Sequence, residues 1–250
     1  MGALHEGHLS LLRHSIAEND LTVCSIFVNP IQFNNKQDLE KYPRTLEEDF
    51  NKLEEAGCDL VFAPSVEEMY PGEIEENYDF GDLERVMEGA HRPGHFNGVA
   101  VVVKRLFEIC TPHRAYFGEK DFQQLRIIQS LVEQENMPIE IIGCPIIREK
   151  DGLAMSSRNV RLSAQERKVA PSIYESLKFI RTHVGDRPVD ELLSSEKEKL
   201  NHLPGMKIEY LVIADEDTLE PVNTWDETKK LRAFIATFLG DIRLIDNLKV

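Results

Sequence analysis

Up to Arg158, short apolar runs alternate with stretches of helical periodicity. "LTVCSIFV" (21–28), "CDLVFAP" (58–64) and "HRAYFG" (113–118) are rich in β-branched or aromatic residues and too short for helices, so they predict strands. Between them, "GHLSLLRHSIAEN" sets Leu9, Leu12 and Ile16 on one helical face. "TLEEDFNKLEEAG" opens on Thr45 as a helix cap and closes on Gly57 as a stop. "IEIIGCPIIRE" adds another strand, expected to be buried. Strands alternating with helices predict an α/β fold, a doubly wound Rossmann-like parallel sheet with crossover helices.

After Arg158 the pattern changes. Two charged amphipathic helices, about 163–183 and 189–201, precede "KIEYLVIAD", "LRAFIATFLG" and "IRLIDNLKV", which alternate like strands of a small antiparallel sheet. Two domains are therefore expected, 1–147 and a smaller α+β domain 148–250, with the boundary near "REKDGLAMSSRN".

The composition, 42% hydrophobic and 29% charged over 250 residues, suits a globular protein with a sizeable core. A net charge of -15 repels a polyanion as a whole, which excludes nucleic acid as a partner yet leaves room for a local basic pocket that holds a small anion. Cys24, Cys58, Cys110 and Cys144 form no CxxC pair and lie beside apolar runs, so buried free thiols are expected. No run approaches the ~20 apolar residues that span a bilayer, and the start shows no basic-then-apolar signal. The expectation is a cytoplasmic protein with no membrane partner.

Three short motifs carry candidate chemistry. In "HEGH" the histidines are three positions apart rather than the four of a zinc helix, with Gly7 between them, so no metal site is expected. One alternative is a polyphosphate cradle: Gly2 and Gly7 admit a ligand to the backbone, His5 and His8 offer N–H donors, and a helix starting near Gly7 points its positive end at the same place. The other is two surface histidines capping a helix. "FGEKDFQQ" places Lys120 after a strand, and "AMSSRN" offers Ser156, Ser157 and the Arg158 fork in a loop. Together, an HxGH turn and a serine-rich basic loop match the signature of the nucleotidylyltransferase superfamily, which holds ATP with both.

Within that superfamily, "MGALHEGHLSL", "SIFVNPIQF", "YPRTLEED", "LVFAPSVEEMYP", "EGAHRPGHFNGV", "FGEKDFQQL", "DGLAMSSRN" and "LGDIRLIDN" resemble the pantothenate synthetase (pantoate–β-alanine ligase) family along nearly the whole chain. The resemblance implies ATP-dependent condensation of pantoate with β-alanine, using Mg²⁺, through a pantoyl adenylate, with AMP and diphosphate released by a homodimeric enzyme. It implies that Met1, Gly2, Ala3, Leu4, His5, Glu6, Gly7 and His8 form an ATP-binding turn, with His8 as proton donor and His5 and Lys120 beside it. Gly118, Glu119, Lys120 and Asp121 would contact the nucleotide, Ile147 would lie beside the adenine, and Met155, Ser156, Ser157 and Arg158 would close over the phosphates. Gln32 and Gln124 would grip pantoate, with Asn29 in the same turn as Gln32. An amide suits that task because it both donates and accepts without adding charge.

Arg92 and His95 in "HRPGHF" either line a lid near pantoate or order a loop. "GEIEENYDFGD" reads as a solvated connection, and "YPRTLEED" as a helix entry with a capping role rather than a metal site. The family has a strand and helix ahead of the "MGALHEGH" turn at which this chain starts. That predicts a strand-wide gap of ~10 Å between residues 22–28 and 114–117 in place of direct pairing. His5, His8, Lys120, Ser156 and Arg158 are expected around one pocket. Two rivals stand: another adenylyltransferase of the superfamily, against which the Gln32 and Gln124 amides argue, and an inactive truncated form that only binds ligand.

Overall fold

In the computed structural model, which describes residues 1–33 and 39–250, the chain separates into two units. The first is Met1–Glu119 with Gln123–Ile147, and the second is Lys120–Phe122 with Arg148–Val250.

Among the described residues the helices and strands up to Ile147 include, in order, α1 (Glu6–Glu18), β1 (Val23–Ser25), α2 (Leu46–Glu55), β2 (Leu60–Phe62), α3 (Val66–Met69), α4 (Met87–His91), α5 (His95–Cys110), β3 (Arg114–Gly118), α6 (Phe122–Gln134) and β4 (Glu140–Cys144). β1 runs parallel to β2 with Val23 opposite Leu60, and β3 runs parallel to β4 with Arg114 opposite Glu140. Among the described residues no ladder joins β1 to β3. Beyond β1, Ile26 donates its N–H to the Phe62 carbonyl at 2.8 Å and Phe27 donates its N–H to the Met1 carbonyl at 3.0 Å.

Apolar clusters among the described residues hold this unit. Leu4, Leu12, Cys24, Ile26 and Leu53 join α1, β1 and α2. Phe96, Val99, Val103 and Phe107 of α5 meet Ile127, Ile128 and Leu131 of α6, with Ala115 and Ile141 from the second strand pair against them. Each fully buried leucine or isoleucine is worth roughly 1.5–3 kcal/mol relative to exposure.

Several local expectations change. On α1 only Leu12 is buried, and Ile16 stands 36% exposed. β4 is not a buried strand, because Ile141 and Ile142 are only half-covered and Cys144 alone is enclosed. All four cysteines are free, but Cys58 and Cys110 are half-buried. Burial pushes the Cys24 thiol up to about 12. Thr45 occupies the cap position of α2 without capping it, since its hydroxyl bonds Asp49 Oδ1 at 3.2 Å. Gly57, at φ +82°, supplies the left-handed stop that the sequence predicts.

In the second unit the helix expected over 163–183 is two, α7 (Ala164–Val169) and α8 (Ser172–Thr182). Pro171 separates them, because it has no N–H for the helical ladder. α9 (Val189–Asn201) precedes β5 (Met206–Asp215), β6 (Leu231–Leu239) and β7 (Ile242–Lys249), an antiparallel sheet in the order β5-β6-β7. Ile173, Leu177 and Ile180 of α8 and Leu192 and Leu200 of α9 pack on Ala233, Ile235 and Leu239 of β6. Arg232 and Phe234 alternate with these residues and face the other way. Arg232 lies 4.1 Å over the Phe122 ring, and Phe234 meets the same ring at 5.9 Å. These contacts hold the Lys120–Phe122 segment within the second unit.

Candidate active site

The HxGH turn is built by the start of α1. His5 is its N-cap, extended at φ -137° and ψ 174°, and its Nδ1 accepts the Gly7 N–H at 3.1 Å. Three positions on, His8 Nδ1 accepts the His5 N–H at 3.4 Å, so each imidazole caps part of the same helix start. With Nδ1 accepting, the ring proton of each sits on Nε2. The rings lie 4.0 Å apart. Of the two expectations for this motif, the structure shows the capping of the helix by both histidines. Gly7 does not offer its N–H outward, because His5 takes it. The N–H groups of Ala3 and Leu4 also point inward, to the Asp49 carboxylate at 2.8 and 2.7 Å.

The Gln32 turn is a 3-10 turn, Pro30–Gln32, capped by Asn29. Asn29 is 2% exposed and its amide is committed to the protein. Its Oδ1 accepts from the Tyr70 hydroxyl at 2.8 Å, and its Nδ2 donates to the Gly98 carbonyl at 3.0 Å and to Gln32 Oε1 at 3.3 Å. Gly98 is required, since a Cβ there would stand 2.7 Å from the Ile31 carbonyl oxygen. The Gln32 carbonyl accepts from His95 Nδ1 at 2.9 Å and from Arg92 at 3.4 Å, and Arg92 pairs with Glu88 at 3.3 Å. Arg92 and His95 thus order the loop that carries Gln32. Gln124 is half-buried on α6. Its neighbour Gln123 is the structural amide, bonding the Glu88 N–H and the Leu83 and Val86 carbonyls.

Gly118 ends β3, and Glu119–Asp121 form a 3-10 turn that leads into α6. The Lys120 carbonyl accepts from Asn247 Nδ2 of β7 at 3.0 Å, and Asn247 Oδ1 accepts from Arg232 at 2.6 Å. Lys120 Nζ stands 3.8 Å from the Asp121 carboxylate.

Ile147 is half-buried at the end of the first unit. In the second unit, Arg148 and Ala154 form an antiparallel bridge that opens the serine loop. Met155 is half-buried, Ser157 is 9% exposed, and Ser156 caps the 3-10 turn Ser157–Arg161 by accepting the Arg158 N–H at 3.2 Å. Arg148 forks onto Asp246 at 2.6 and 2.9 Å and lies 3.7 Å over the Tyr174 ring. Burial pushes the Asp246 carboxyl up, against the pull of Arg148.

The groups that sequence reasoning missed are those that hold the turns: Asp49, Tyr70, Gly98, Arg148, Asp246 and Asn247. The only signal for the last two was "LGDIRLIDN", a motif with no role attached.

The pantoate-beta-alanine ligase family model matches residues 1–249. A pantothenate synthetase of Bacteroides fragilis strain YCH46 is 53% identical over 249 residues, which are 100% of this chain and 88% of that protein. One from Bacteroides thetaiotaomicron is 51% identical with the same coverage. The crystal structure of pantothenate synthetase from Thermus thermophilus superposes at a TM-score of 0.94 with 47% identity, covering 100% of this chain and 90% of that one. A pantoate-beta-alanine ligase of Francisella tularensis, complexed with beta-gamma ATP and beta-alanine, superposes at 0.82 with 36% identity, covering 100% and 87%. With the family model matching residues 1–249 and both sequence and fold matching over the whole chain, this protein belongs to the pantoate–β-alanine ligase family.

Proposed function

We propose that the chain performs its family's ligation in two steps, with the HxGH histidines serving the first. As a member of the family it is an ATP-dependent ligase of pantoate and β-alanine. In the first step a pantoate carboxylate oxygen bonds the α-phosphorus and the bond to the β-phosphate oxygen breaks, giving pantoyl adenylate and diphosphate. In the second the β-alanine amine bonds the acyl carbon, the acyl–phosphate C–O bond breaks, and AMP leaves. An amine proton is lost.

The first step brings two anions together, so the protein's task is to position them and stabilise the charge that develops. The mutual capping of His5 and His8 carries the proposal, because it fixes two Nε2–H donors at the positive end of α1. His8 then supplies the proton donor to the phosphate oxygens. Lys120, Ser156, Ser157 and Arg158 in the second unit supply the remaining cations and hydroxyls, and Gly118, Glu119, Asp121, Ile147 and Met155 line the nucleotide. Gln32, steered by Asn29, and Gln124 hold pantoate. Mg²⁺ enters as part of the MgATP substrate. The setting is the cytoplasm, and the enzyme is a homodimer, an assignment supported by an apolar face of the β1–β2 pair where Val23 and Leu60 stand 40% and 53% exposed.

Purified protein is expected to release AMP and diphosphate continuously only with ATP, Mg²⁺, pantoate and β-alanine all present. Sustained turnover with a nucleotide in place of pantoate would assign it to another adenylyltransfer reaction. Ligand binding with no AMP release would make it a binding form.

A further inference from the structure

We propose that Asp49, assisted by Lys52, is a positioning residue for the adenylation step, holding the backbone from Ala3 to His5 so that the two imidazoles present Nε2–H. The inference rests on the role given to His5 and His8 above. Asp49 lies on α2 and is 1% exposed. Its two carboxylate oxygens take the consecutive N–H groups of Leu4 and Ala3, at 2.7 Å for Oδ1 and 2.8 Å for Oδ2. Thr45 adds a third contact, from its hydroxyl to Oδ1 at 3.2 Å. One turn further along α2, Lys52 Nζ donates to the Leu4 carbonyl at 2.9 Å. A carboxylate and an ammonium on one helix therefore grip both polar ends of residue 4, immediately before His5.

Ala3 sits at φ +48°, in the left-handed region that a residue with a Cβ enters only when its surroundings hold it there. Successive N–H groups in such a bend form a concavity that attracts an anion. Here the protein fills it with its own buried carboxylate, and the outward-facing chemistry passes to the histidine rings. Without that carboxylate two inward N–H groups lose their acceptor, Ala3 loses the restraint on its φ, and His5 loses the fixed entry from which its N–H reaches His8 Nδ1.

Asp49→Asn and Lys52→Met test the assignment. The asparagine keeps one acceptor but turns N–H donors toward a second N–H. Lys52 is 38% exposed at its side chain, so its replacement leaves the fold intact and keeps the test decisive if the asparagine variant does not fold. Pantoate-dependent exchange of diphosphate into ATP should fall in Asp49→Asn, by up to about 100-fold, as expected for a misplacement near 1 Å. Lys52→Met should lower it in the same direction by a smaller factor. The KM for pantoate should stay within about twofold of the parent, because Gln32 sits on a separate turn held by Asn29, Arg92 and His95. Long-range ¹H–¹⁵N correlation of His5 and His8 should show Nε2–H rings in the parent and a second tautomer in the variants. A merely structural role would lower stability without moving these ring signals. Parent-like exchange rates, or ring signals identical to the parent's in the folded variants, would overturn the inference. If the parent itself exchanges no diphosphate, the adenylation role falls, and the ring signals still decide whether Asp49 sets the tautomers.

Discussion

His5 and His8 each satisfy an N–H at the start of α1 through Nδ1, and the proposed function gives Nε2 of the same rings the role of donor. That division yields a prediction in which capping and chemistry separate. His8→Ala should depress pantoate-dependent diphosphate exchange by a factor that corresponds to ~3 kcal/mol, the usual worth of a donor to developing charge. Gln32→Ala should instead raise the pantoate requirement with little change in the KM for ATP. If His8 were only a cap, its alanine variant would melt earlier and turn over normally. The histidines were legible in the sequence, because the HxGH spacing sets them apart, although the structure puts them at the start of α1. Their tautomers were not, since each depends on where a backbone N–H comes to lie.

Helices hold the loops that carry the candidate residues, and they are themselves held in pairs. α5, which bears Gly98 and His95, packs on α6, which bears Gln124, and Lys104 of α5 joins Glu135 just beyond the end of α6 at 2.9 Å. The hydrogen bond from Lys104 holds the Glu135 carboxyl below its usual value, and Glu135 in turn raises Lys104. A depressed carboxylate contributes stability above its unfolded value near 4.3 and loses it as pH falls through the lower folded value. A raised lysine contributes below about 10.4 and loses it as pH climbs through the folded value. Lys104→Met should therefore unfold more readily than the parent at neutral pH, by at most ~1 kcal/mol for so accessible a pair. The difference should close in acid as Glu135 takes its proton. Melting both proteins across the acid range checks this, and a difference that persists undiminished in strong acid would contradict it. The sequence announced α2 by its stop signal at Gly57 and α9 by its amphipathic pattern, whereas Pro171 split the helix expected over 163–183.

At the scale of the molecule, Cys24 of β1 is covered by Leu12 and Leu53, while Val23, its register partner Leu60 and the neighbouring Val61 are exposed. A crossover fold ordinarily buries both faces of its parallel strands, so exposed aliphatic partners suit a second copy of the chain. Sedimentation equilibrium should give a dimer, and Leu60→Glu should shift it to monomer while leaving the melting of the monomer unit close to that of the parent. A monomeric parent at micromolar concentration would remove the homodimer from the assignment.

Periodicity, short apolar runs and eight ordered motifs determined the α/β class, the antiparallel strands after Arg158 and the family. Those features are local: a helix face, a strand run or a turn signature is written within about a dozen neighbouring residues. What only the tertiary structure decided is how the turns are held. Asp49 grips Ala3 and Leu4 across more than 40 positions, Tyr70 and Gly98 fix the Asn29 amide that orients Gln32, and Asn247 takes the carbonyl of Lys120 from 127 positions away. Each is a buried polar group that must find a partner once water is excluded, and which partner it finds depends on how helices and strands distant in sequence pack together.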